Sequence, residues 1–123
     1  MATRSCGLPC FITLMFMAVA AWPGAAIAHT RLVSSEPKAN AVLDVAPDRI
    51  TLNFSASPEA GFSEIQWSQQ ASPEKWHALE VVQQAAQLRA ALPQLAPGRY
   101  KIRWSVLSRD GHRQRGVVEF QID

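Results

Sequence analysis

Sulfur is missing from most of the chain. Both cysteines, Cys6 and Cys10, and all three methionines, Met1, Met15 and Met17, lie near the N-terminus of the 123 residues. Past Met17 there is no disulfide, no redox thiol and no soft metal ligand. A surplus of one charge is missing too. Twelve Lys and Arg stand against ten Asp and Glu, a balance that argues against general nucleic-acid binding. No apolar run is long. The most apolar stretch, Cys10 to Trp22, falls short of the roughly 20 residues that span a bilayer. A Gly-rich phosphate loop, a His-Glu-x-x-His pair and a serine nucleophile elbow are all absent. Asp110 and His112 would fit a hydrolytic triad, but no signature supplies the nucleophile.

What the N-terminus does have is an export pattern. Arg4 gives positive charge, the apolar run follows, Pro23-Gly24 breaks it, and Ala26 and Ala28 form an A-x-A site. This is the layout of a secretory signal. A retained anchor would have to stretch across Pro9 and Pro23, and Pro9 is the wrong neighbour for a lipidated Cys10. Residues 1–28 therefore read as a cleaved signal peptide that takes both cysteines with it. Residues 29–123 read as one small domain. Arg4 is the only charge lost, so eleven basic residues remain against ten acids. Arg99, Lys101, Arg103, Arg109, Arg113 and Arg115 gather toward the C-terminus, where solvated strand faces are the default reading.

The pattern after residue 28 is β. In Arg99 to Val106, Tyr100, Ile102, Trp104 and Val106 alternate with Arg99, Lys101, Arg103 and Ser105. Period two with one apolar face is a half-buried strand. Ile50, Leu52 and Phe54 alternate with polar residues in the same way. Ile65 with Trp67, and Val118 with Phe120 and Ile122, predict two more strands. Leu32 to Ser34, Ala78 to Val82 and Leu88 to Leu92 are weaker candidates. Val81 to Ala91 is rich in Ala and Gln but reads as strand, turn, strand. Pro47, Pro58, Pro73 and Pro97-Gly98 punctuate these runs. About seven short strands predict an all-β fold: a Greek-key β-sandwich or barrel of immunoglobulin-like architecture. Leu95-x-x-Gly98-x-Tyr100 predicts a tyrosine corner, and one of Trp67, Trp76 and Trp104 is expected to be the core aromatic.

Three histidines remain: His29, His77 and His112. Cleavage after Ala28 would make His29 the first residue, offering its α-amine and its ring Nδ1 to one metal ion as a chelate. Without cleavage the nitrogen is an amide, a poor donor unless deprotonated. Asp110-Gly111-His112 adds a carboxylate and a second imidazole. At a strand end or in a tight loop, i and i+2 point the same way, and Gly111 lets the backbone bend. Asp-x-His alone is common as a plain surface pair. Combined with a terminal His in a sulfur-free domain, it suits the tetragonal nitrogen and oxygen set of Cu(II).

These residues carry a resemblance. "HTRLVSSEPKANAVL", "PDRITLNFS", "LAPGRYKIRWSVLSRDGH" and "GVVEFQI" together resemble the CopC family of periplasmic copper-binding, copper-resistance proteins. The resemblance implies a small β-sandwich holding one Cu(II) per chain. The implied ligands are His29, Asp110 and His112, with both His29 nitrogens and His112 equatorial and Asp110 weaker or axial. It implies a periplasmic carrier that is not an enzyme, serving copper resistance or homeostasis; a monomer is the default expectation. It also implies a membrane copper transporter of the CopD type as a possible recipient.

Three departures stand out. Some members hold Cu(I) in a Met-rich loop; here that region reads "WSQQASPEKWHALEV", so no Cu(I) site is expected and His77 reads as a surface residue. The acid that often follows Phe-Ser is Ala56, which removes its outer-shell support. The proline expected after Asp-x-His is Arg113; with Arg115 it would orient Asp110, offer a docking surface or simply face solvent. Two other classes compete: a metal-free immunoglobulin-like interaction module, and a copper-dependent oxidative enzyme of the kind that cleaves polysaccharides. The enzyme needs an open copper face and a broad substrate surface, for which about 95 residues leave little room.

Overall fold

The computed structural model describes residues 29–123 and Gly7. The signal-peptide expectation, with Cys6 and Cys10, otherwise lies outside the described residues. Nine strands follow in order: β1 (Leu32–Glu36), β2 (Ala41–Leu43), β3 (Arg49–Phe54), β4 (Glu64–Gln69), β5 (His77–Leu79), β6 (Val81–Gln84), β7 (Gln87–Ala91), β8 (Gly98–Leu107) and β9 (Arg113–Ile122). No helix among the described residues is long and apolar enough to cross a membrane.

The strands form two sheets, one of order β1-β3-β7-β6 and one of order β2-β9-β8-β4-β5. The first is antiparallel. The second is antiparallel except where β2 lies parallel to β9. The all-β sandwich is as expected, with nine strands where about seven were read. One addition is β2. The other comes from the stretch Ala78 to Val82, which divides at Glu80: β5 joins β4 in one sheet and β6 joins β7 in the other. Val81 to Ala91 is a hairpin, with Gln84 opposite Gln87. Its turn residue Ala85 takes φ 51°, a conformation glycine adopts more readily.

Alternation decides which side chains meet between the sheets. β3 contributes Ile50, Leu52 and Phe54, and β7 contributes Leu88 and Ala90. Facing them, β8 contributes Tyr100, Ile102, Trp104 and Val106, and β9 contributes Val118, Phe120 and Ile122. Ile50, Leu52, Leu88, Ile102 and Val106 are fully buried, and each such side chain stabilises the fold by about 1.5–3 kcal/mol. Trp104 is the core aromatic, edge-on to Phe54 at 5.1 Å. Trp67 sits at the margin of the core, stacked on His77.

Tyr100 makes the expected corner. Its hydroxyl donates to the Ala96 carbonyl at 2.6 Å, tying the loop before β8 to the strand. Burial pushes the phenol above its ordinary 10.0. The neutral phenol is thus favoured in the folded state. Its contribution is complete below pH 10 and fades as pH rises beyond it. Tyr100→Phe is expected to cost about 1–2 kcal/mol and to reduce the loss of stability between neutral pH and pH above about 10. Urea unfolding across that range measures both.

Candidate metal centre

Three residues from opposite ends of the domain meet at one end of the sandwich. Asp110 and His112 lie in the loop joining β8 to β9. The Ser108 amide donates to the His112 carbonyl at 2.8 Å, and the Gly111 amide to the Ser108 carbonyl at 2.9 Å. Gly111 has φ 86°, a left-handed conformation that strains any residue with a Cβ. The His112 amide donates to Asp110 Oδ1 at 3.0 Å, which aims the other carboxylate oxygen away from the loop backbone.

His29 arrives from the lead-in to β1, and two serines hold that lead-in. The Thr30 amide donates to Ser108 Oγ at 3.2 Å. Ser55, just past β3, accepts from the Arg31 amide at 3.1 Å and donates to the His29 carbonyl at 3.2 Å. The Ser55 amide in turn donates to the Arg31 carbonyl at 2.9 Å. Thr30 and Ser108 are both 1% exposed, so this join is dry. Ser108 therefore supports the Asp-Gly-His loop through its backbone and His29 through its hydroxyl. Both serines stand inside the motifs "LNFS" and "VLSRDGH". Their polar role was not apparent there, because only the fold brings residues 30 and 108 together. Ser108→Ala leaves the buried Thr30 amide without an acceptor. The expected cost is about 1–3 kcal/mol, seen as a lower urea midpoint with faster amide exchange at Thr30 than in β1.

The donors are close. Asp110 Oδ2 lies 2.9 Å from His29 Nδ1 and 3.2 Å from His112 Nδ1. The two imidazole rings are 5.6 Å apart, tilted by 45°. One potential ligand atom from each residue fits within a 4.8 Å spread. The carboxylate is one-tenth exposed, while the imidazoles are 60% and 68% exposed. Oδ2 is buried with no hydrogen-bond donor aligned on it. The Asp110 carboxyl is held below the usual carboxylate range, chiefly by the His112 backbone amide. Burial opposes this, and the His112 and His29 side chains reinforce it. An ionised oxygen without a donor, facing two ring nitrogens, is suited to a cation. The His29 ring atom turned toward the carboxylate is Nδ1.

The other residues singled out from the sequence lie apart. His77, on edge strand β5, is exposed and stacks on Trp67 at 4.5 Å. Arg113 does not orient Asp110: its guanidinium donates to Ser105 Oγ at 2.9 Å and to the Phe62 carbonyl at 3.3 Å. Ala56 follows Ser55 beside the His29 backbone, so this side of the cluster has no acid.

The fold and the cluster define a small β-sandwich protein with two histidines and an aspartate gathered at one end. The CopC domain family model matches residues 32–123. The protein YobA of Escherichia coli K12 is 38% identical over 98 residues, covering 77% of this chain and 79% of that protein. The crystal structure of CopC from Methylosinus trichosporium OB3b superposes with a TM-score of 0.68 at 28% identity, over 77% of this chain and 94% of that one. PcoC, a methionine-rich copper resistance protein from Escherichia coli, shares the fold with a TM-score of 0.65 at 24% identity, over 78% and 100%. The chain belongs to the CopC family. The matched range includes Asp110 and His112 and begins just after His29.

Proposed function

We propose that this protein is a periplasmic carrier of one Cu(II) ion, bound by His29, Asp110 and His112. The observation that supports this is the meeting of two imidazole Nδ1 atoms on one buried, undonated carboxylate oxygen, in a chain of the CopC family. The α-amine of His29, freed by signal cleavage after Ala28, is the proposed fourth donor. Residues 29–123 then form a single copper-binding domain of this family. Nitrogen and oxygen donors favour Cu(II), and a domain without methionine or cysteine offers Cu(I) no soft ligand. The copper is cargo: the protein buffers it for resistance or homeostasis and passes it on without converting a substrate. A membrane transporter of the CopD type is the proposed recipient, and the carrier acts as a monomer.

The test is an electron paramagnetic resonance titration with Cu(II), using protein that starts at His29. One tetragonal, nitrogen-rich signal saturating at one equivalent is expected. It should be lost or strongly altered when one extra residue precedes His29. A weak, heterogeneous signal indifferent to that residue would sink the proposal and favour a metal-free interaction module. Binding also displaces protons from imidazole and amine donors. Affinity is therefore expected to fall steadily on acidification, with Asp110 the last donor to be protonated given its lowered pKa. Competition titrations from neutral pH to about pH 4 measure this.

A further inference from the structure

The outer face of the five-stranded sheet carries a second feature, away from the histidines. On β9, Arg113, Arg115 and Val117 alternate outward. Across from them on β8 are Leu107, Ser105 and Arg103. On β4, Glu64 pairs with Ser105, and Gln66 with Arg103. Together these strands frame an open concavity of about 610 Å³. Three guanidinium groups border it, and Glu64 is its single acid.

Arg103 and Arg113 are held but not neutralised, and the Arg115 side chain makes no hydrogen bond or ion pair among the described residues. The Arg103 guanidinium lies 4.2 Å from the centre of the Trp76 ring, and its Nε donates to Gln66 Oε1. Arg113 is anchored by Ser105 and the Phe62 carbonyl. Among the described residues none of the three makes an ion pair. The same sheet does pair its charges elsewhere: Lys101 faces Glu119 at 3.3 Å. Apolar surface adjoins the basic groups, since Val117 is 56% and Phe62 54% exposed.

We infer that this concavity is a docking surface for an acidic, extended segment of a partner protein. Guanidinium groups bind carboxylates through paired hydrogen bonds. Arginines already held in place lose little freedom on binding. Arginine beside exposed aromatic and aliphatic residues is the composition of interface centres. Arg113 and Arg115 are two positions apart along the strand, about 7 Å. Carboxylates at alternate positions of an extended chain have the same spacing. A hollow suits a polypeptide segment better than the flat surface of a lipid headgroup layer. This inference does not rest on copper binding and is tested on metal-free protein.

The probe is a synthetic peptide alternating glutamate and valine, titrated into the ¹⁵N-labelled protein. Its glutamine counterpart is the control. Amide shifts are expected on β8 and β9 around Arg103, Arg113, Arg115 and Val117, and at Phe62. Arg115→Gln, which removes no interaction within the fold, is expected to weaken binding at least about fivefold. Glu64→Gln is expected to tighten it. Added salt weakens the complex. The inference is overturned if the acidic peptide does not bind, if the glutamine peptide binds equally, or if the shifts map elsewhere. Binding to phosphatidylglycerol vesicles in place of the peptide would also overturn it and assign the face to lipid.

Discussion

His112→Ala is expected to weaken Cu(II) binding by about 100-fold or more while leaving the metal-free fold intact. Structural zinc sites gain about 10–16 kcal/mol from four donors. One donor of such a set accounts for about 3 kcal/mol, or roughly two decades in affinity. The His112 side chain is 68% exposed and its main neighbour is Asp110, so its loss removes little packing. The loop keeps its backbone bonds from Ser108 and Gly111. Isothermal titration beside urea unfolding separates the two effects. A large drop in apo stability, or an affinity within a few-fold of the wild type, would contradict the proposed ligand set. His77→Ala is the matched control, since His77 lies on the far edge strand against Trp67.

Gly116→Ala is expected to cost about 2–3 kcal/mol of stability. Gly116 faces Trp104 across the β8–β9 ladder. A Cβ there would stand 2.4 Å from Trp104 Cζ2 and 2.7 Å from Cε2. The indole has little room to retreat, because it is 7% exposed and set edge-on against Phe54. Forcing atoms into a packed core typically costs 1–3 kcal/mol, and the smaller entropy loss of alanine returns only part of it. For a domain near this size the melting temperature is expected to fall by about 10 °C or more. Trp104→Phe in the same chain should recover part of the loss, which a double-mutant cycle would measure. If alanine at 116 is neutral, the indole does not occupy the space above the strand.

The parts of the fold legible in sequence are those where burial imposes a period of two. In β8 each predicted inward residue, from Tyr100 to Val106, is buried. The start of β9 was less visible. Its first residues, Arg113 to Val117, carry a basic outer face, and glycine takes the inward position beneath Trp104. The run therefore lacks an apolar period until Val118. Strand β2 gave no signal either: Ala41-Val42-Leu43 does not alternate, and its strand character comes from pairing with Phe120, Gln121 and Ile122 far along the chain. The division at Glu80 depends on which sheet each half joins, which a local pattern does not encode.

The candidate site divides along similar lines. His29, Asp110 and His112 stand out because their chemistry is distinctive, and the resemblance gave them a common purpose. Ser55, Ser108 and Thr30 did not stand out. A buried serine and a surface serine look alike in a sequence, and the partners lie 24 to 78 residues apart. The arginine-lined hollow was visible only as a basic bias near the C-terminus, since its shape requires three strands side by side.

The bond from Thr30 to Ser108 crosses 78 positions of sequence. A ribosome makes the first partner long before the second. Throughout that interval His29 has neither Asp110 nor His112 beside it, because neither has been polymerised. Closure of the cluster is thus a late event in the life of the chain, after nearly all of the domain has been made. A newly made chain is in this respect timed: however early its first histidine emerges, the three-residue cluster does not exist until the final hairpin is there to meet it.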